Sequence, residues 1–202
     1  VKKMNKDFDT YLLNVRESGC DLRYIHFRYS PNMDSKIIDG LTEINMLFSL
    51  ILNDKRKDLL KYVPYNVNVL ELIEKNEYTA GTCVAIEKDD GTCDLSLSFK
   101  KILELDSFPI KSLTWVMFHE FRHKIQLFDE SVKSVLDVPN WKNFNDYMQK
   151  TTGQSEDLIN HVFHEMNPAE VDANTFATEM MGIKYLGNAF NLTEETLNKL
   201  KK

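Results

Sequence analysis

Cysteine is scarce in this chain: Cys20, Cys83 and Cys93 are the three in 202 residues. None has a C-x-x-C partner, so the thiols propose no metal site of their own. Cys83 and Cys93 flank a candidate hairpin around Asp89-Asp90-Gly91. A tight loop near Asp90-Gly91 would set Cys93 opposite residue 87 or 88 and Cys83 opposite residue 97 or 98. The sulfurs would then sit too far apart along the ladder to be bridged. Reduced thiols, and with them a cytoplasmic setting, are the expectation.

Long apolar runs are missing as well. The longest, "MLFSLILN" at 46–53, is far too short to cross a bilayer. Asp7 and Asp9 interrupt what would have to be the apolar core of a signal segment. Nor is there a basic excess: 25 Lys and Arg against 31 Asp and Glu leave a net charge of −6. That balance speaks against a general nucleic-acid or membrane surface, so neither partner is expected. With 43% hydrophobic residues the chain can bury one sizeable core, and residues 1–202 are read as a single domain.

The pattern along the chain supplies the elements. Residues 4–18 read as a helix, and "DLRYIHFRYS" (21–30) alternates like a strand with Tyr24, His26 and Arg28 on one face. Helical spacing of Ile38, Leu41, Ile44, Phe48 and Ile51 marks a helix over 35–54, and "KRKDLLKYV" reads as a short one ending at Pro64. Two β-like runs over 78–99 surround the Asp-Asp-Gly turn, with Cys93, Leu95, Leu97 and Phe99 on the buried side. Pro109 precedes a long helix to about 129, and a polar segment, 130–154, has the look of an insertion. Helices are expected over 155–166, from Asn167-Pro168 through about 187, and at the C-terminus.

The long helix carries "HEFRH", in which His119, Glu120 and His123 form the pattern H-E-x-x-H. Residues four apart on a helix project from nearly one face, so both imidazoles can reach one zinc ion at about 2.0–2.1 Å. Glu120 lies about 100° further round, where it can hold and deprotonate a water activated by the ion. The competing reading is a core helix with two hydrogen-bonded histidines and a surface glutamate. Trp115, Val116, Met117, Phe118, Phe121, Ile125, Leu127 and Phe128 place apolar groups nearly all round this helix, so its polar residues need partners.

A third ligand should come from "NPAEVDANTFATEM" (167–180). Glu170 and Asn174 fall one turn apart, so Glu170 can take the metal while Asn174 supports the site from behind. Glu170 also fits a capping box with Asn167, and Asp172 is a reserve ligand. His161 and His164 in "HVFHE" are alternative ligands or oxyanion donors, against a plain structural role. Tyr147 and Tyr185 are weaker oxyanion candidates, and His26 reads as structural.

H-E-x-x-H followed by "EVDANTFA" (170–177) resembles the ImmA/IrrE family of small gluzincin metallopeptidases. The likeness extends to a hairpin, a cleft strand and a proline-containing loop upstream, and covers about residues 77–128 and 167–181. It implies an α+β, minimal zincin-like fold: a small antiparallel sheet packed on the active-site helix, with residues 1–76 as a mostly helical elaboration. It implies zinc held by His119, His123 and Glu170 with Glu120 as base, and an extended peptide added to the strand near 94–100. Arg122 departs from the pattern, standing where a small glycine often precedes the second histidine.

The leading expectation is therefore a cytoplasmic zinc metallopeptidase that cleaves a protein or peptide, such as a specific regulator. The alternatives are a zinc-binding regulatory module of the same fold with little turnover, and a helical scaffold with no metal.

Overall fold

The strongest apolar periodicity in the chain forms its central helix. In the computed structural model, which describes residues 6–63, 66–71, 81–84, 92–133, 150, 153 and 168–183, helix α2 runs Ser35–Lys55. Asp34 starts it by accepting from Lys36 N at 2.8 Å. Its inner stripe is Ile37, Leu41, Ile44, Phe48 and Ile51, all 0–1% exposed. The stripe thus begins at Ile37, not at Ile38, because the 4-3-4-3 spacing follows the 3.6-residue turn more closely.

Around α2 lie α1 (Phe8–Ser18), β1 (His26–Arg28), a 3₁₀ turn (Lys57–Tyr62) and β2 (Asn66–Glu71). Then follow β3 (Gly81–Val84), β4 (Thr92–Leu97), α3 (Phe99–Glu104), α4 (Ile110–Phe128), α5 (Glu130–Lys133) and α6 (Pro168–Met181). The Asp89–Gly91 turn, most of the 130–154 segment and the helices expected over 155–166 and at the C-terminus lie outside the described residues.

The sheet corrects the expected antiparallel arrangement. Its order is β1-β2-β4-β3; β1, β2 and β4 run parallel, and β3 alone is antiparallel, on β4. The reason is the connection: α2 carries the chain from β1 back across to β2, which is how parallel neighbours are joined. Residues 1–76 are accordingly more than a helical elaboration, since they supply two of the four strands. The unexpected strand is β2, although its "NVNVLE" alternates, with Val67 and Val69 buried.

The register sorts residues into rows. Phe27, Val67 and Cys93 align, as do Val69 and Leu95, and all five are buried. Between them Arg28, Asn68 and Asp94 align on the opposite face, where Asn68 Nδ2 donates to Asp94 Oδ1 at 3.0 Å. One sheet face therefore carries the core and the other stays polar.

Two strand boundaries also move. The expected strand over 21–30 shrinks to three residues because the backbone before it bonds to α2 instead: Ser49 Oγ accepts from Tyr24 N at 3.0 Å and Asn45 Oδ1 from Ile25 N at 3.3 Å. Phe99 opens α3 and does not extend β4. The peptide-binding edge expected near 94–100 is consequently not an edge. Both sides of β4 are used, by β2 and by β3, and among the described residues β3 is the outermost strand on that flank. Cys83 stands opposite Leu95, two to three residues from the expected register, and Cys20 and Cys93 are free thiols. No helix among the described residues is long and apolar enough to cross a membrane.

Four phenylalanines join the helices. Phe48 of α2 stacks on Phe118 of α4 (centroids 4.6 Å) and meets Phe121 edge-on (5.4 Å), and Phe176 of α6 approaches both α4 rings at 6.4 Å. Lys55 Nζ donates to Met180 O at 2.8 Å, tying the end of α2 to the end of α6. Helix α6 stops at Met181, short of the expected 187, because Gly182 turns left-handed at φ 67°. Phe48 sits at the centre of this junction with no exposure. Phe48→Ala is expected to cost about 3–5 kcal/mol, read as a lowered urea midpoint; a change under about 1 kcal/mol would show that the aromatic junction does not hold the helices together.

Candidate metal centre

Helix α4 is buried along most of its circumference, from Leu113 through Phe118 and Phe121 to Ile125. The expected all-round burial fails most clearly in its last turn, with Leu127 at 47% and Phe128 at 50% exposed. A polar stripe at helical spacing interrupts the apolar surface: His119, Arg122, His123 and Gln126. This stripe faces α6. On α6, Ala169, Ala173 and Ala177 recur every fourth residue at 8%, 0% and 0% exposure, and their small size lets α6 lie close against α4.

The close approach brings Glu170 between the two histidines. Glu170 Oε2 lies 3.1 Å from His119 Nε2 and Oε1 lies 3.3 Å from His123 Nε2, while the two Nε2 atoms are 3.1 Å apart. These three side chains form a group that could hold a metal ion, each offering one ligand atom, all within 4.8 Å of one another. Tetrahedral coordination at about 2.0–2.2 Å sets neighbouring ligand atoms about 3.3–3.6 Å apart, so a first-row divalent ion fits with shifts of a few tenths of an ångström. Two nitrogens and one carboxylate are also the donor set that such an ion prefers. The side chains are 12–19% exposed, so the cluster is sheltered and still reached by solvent.

Neighbours fix the two imidazoles. His119 stacks on Trp115, one turn earlier, at 5.4 Å between centroids. His123 meets His119 edge-on at 4.7 Å, and its Nδ1 lies 2.8 Å from Gln126 Oε1. Gln126 Nε2 donates to Ala169 O at 2.9 Å and Asp172 Oδ2 at 2.8 Å. Arg122 donates to the same carboxylate, from Nε to Oδ2 at 2.7 Å and from a terminal nitrogen to Oδ1 at 3.2 Å. Its guanidinium lies 5.2 Å above the Phe176 ring. Arg122 is thus a clamp between α4 and α6.

Of the residues singled out from the sequence, His119, His123 and Glu170 come together, with Glu120 next along α4 and partly buried. Asp172 is not a ligand here; it is engaged by Arg122 and Gln126. Burial raises its carboxyl, but those hydrogen bonds outweigh burial and hold it below the usual carboxylate range. Asn174 follows Glu170 by one turn, and its Oδ1, like His119 Nδ1, is buried with no hydrogen-bond partner among the described residues. His161, His164 and the proposed cap Asn167 lie outside the described residues, as do Tyr147 and Tyr185. Gln126 escaped the sequence reading, although its position three residues after His123 put it on the same face. No family model, curated protein or solved structure matches the chain.

Without an ion the cluster balances its own charge. Burial pushes His123 down, but the hydrogen bond and charge of Glu170, with the charge of Glu120 and the Gln126 contact, hold it up at about 9. That lies above the ordinary 6.5, so the pair's stabilisation is complete below about pH 6.5 and is lost as pH rises through about 9. A metal must displace this proton. Titrating metal-free protein with a divalent ion at neutral pH is expected to release about one proton per ion, read from binding enthalpies in buffers of different ionisation enthalpy. Binding without proton release would exclude His123 as a ligand.

Proposed function

We propose that this chain is a zinc metallopeptidase of the H-E-x-x-H type, resembling the ImmA/IrrE family, that hydrolyses an intracellular protein or peptide. The observation carrying the proposal is the convergence of His119 Nε2, His123 Nε2 and a Glu170 carboxylate oxygen, with Glu120 directly between the histidines in sequence. Zinc bound to these residues supplies Lewis acidity that polarises a scissile carbonyl and lowers the pKa of a water at the site. His119 and His123 hold the ion from α4 and Glu170 holds it from α6, so the centre exists only where the two helices meet. Glu120 takes the proton from the attacking water and passes it to the leaving amine. Glu120 suits this role because it is the one carboxylate on the α4 side of the centre, and its charge already acts on His123. An extended substrate pairs its main chain with the outer side of β3, the antiparallel strand packed against α4.

Zinc content and turnover test the assignment together. Protein purified without added metal should carry one zinc per chain, and His119→Ala, His123→Ala or Glu170→Ala should abolish it. Asp172→Ala should weaken retention without abolishing it. Glu120→Gln should keep the zinc and lower hydrolysis by about 10²–10⁴-fold, followed by comparing the proteome of cells carrying wild type or the variant. Unchanged zinc in His119→Ala would refute the ligand set; an unchanged proteome in Glu120→Gln would favour a binding module over a peptidase.

A further inference from the structure

We propose that Gln126 is the positioning residue that commits His123 to bind metal through Nε2, and that Asp172 and Arg122 hold Gln126 in that orientation. The inference rests on the metal site proposed above. A neutral imidazole can carry its proton on either nitrogen, and only the unprotonated nitrogen can bind an ion. What sets the choice is the partner of the other nitrogen.

The Gln126 amide has only one orientation that satisfies its surroundings. Its nitrogen faces two groups that accept and cannot donate, the Ala169 carbonyl at 2.9 Å and the Asp172 carboxylate at 2.8 Å. Turning the amide over would set its oxygen against both. Oε1 must therefore face His123 Nδ1, at 2.8 Å, and an oxygen there requires the proton to be on Nδ1. The lone pair of neutral His123 is left on Nε2, the atom 3.3 Å from Glu170 and 3.1 Å from His119 Nε2.

Asp172 is fixed in turn. Arg122 grips it with a two-pronged fork and is itself pinned over Phe176, so the shared oxygen Oδ2 stays where Gln126 needs it. Gln126 is only 8% exposed, so water does not readily replace these contacts. Helix α4 thus supplies the ligand and its lock, while α6 supplies the third ligand, Glu170, and the anchor, Asp172, two residues later. His119 has no such lock: its Nδ1 has no hydrogen-bond partner among the described residues.

The experiment measures zinc affinity by chelator competition in wild type, Gln126→Leu, Asp172→Asn and the double variant, with thermal unfolding of each metal-free protein as a folding control. Gln126→Leu should bind one zinc about 10–100-fold more weakly. Asp172→Asn should weaken binding too, and the double variant should be no weaker than Gln126→Leu alone, because Asp172 acts through Gln126. Independently of any variant, a long-range ¹H–¹⁵N spectrum of zinc-loaded wild type should show His123 protonated at Nδ1 and bound through Nε2. That spectrum decides the matter if Gln126→Leu does not fold. Unchanged affinity in Gln126→Leu, additive losses in the double variant, or His123 bound through Nδ1 overturns the inference while leaving the zinc site intact. A wild type that takes up no zinc removes the metallopeptidase reading and this inference with it.

Discussion

The close contact of α4 with α6 is the constraint on which everything at the centre depends. Glutamate is short, and Glu170 reaches both imidazoles only because an alanine row brings α6 against α4. Burying two histidines and carboxylates between helices is unfavourable unless each finds a partner of opposite character. Here they are interlocked: Glu170 with His119 and His123, Asp172 with Arg122 and Gln126. Arg122 draws the helices together by its charge and by its face, through Asp172 and Phe176.

Behind this contact the rest of the fold acts as a brace. The Phe48, Phe118, Phe121 and Phe176 rings pack α2, α4 and α6 at one junction, and Lys55 caps the end of α6 from α2. The buried pair Asn45 and Ser49 replaces missing strand partners for the backbone entering β1. Helix α2 is thereby fixed to the sheet on one side and to α4 and α6 on the other. The sheet has one polar face, unusual for parallel strands, which are more often covered on both.

Legibility in the sequence followed the range of the interaction. The helices α2 and α4 were readable because their apolar spacing is a local property, and so was the pairing of His119 with His123 across one turn. Glu170 was readable as the leading candidate, with Asp172 in reserve, since its motif lies within one helix and Asp172 falls on another face of it. Those two carboxylates differ in the partners they meet on α4, and no local pattern records that. The direction of the sheet was likewise hidden: "NVNVLE" alternates, yet nothing in it says whether its neighbours run parallel.

The sequence by itself determined which residues can share a helical face, hence the two imidazoles with a carboxylate between them and an acidic chain without a membrane-length apolar helix among its described residues. Tertiary structure brought Glu170 to them, placed Arg122 and Gln126 at the same centre and, among the described residues, made β4 interior and β3 the outer strand. The physical reason is distance along the chain: 47 positions separate His123 from Glu170, and only packing of small side chains against a shaped helix brings them to 3.3 Å.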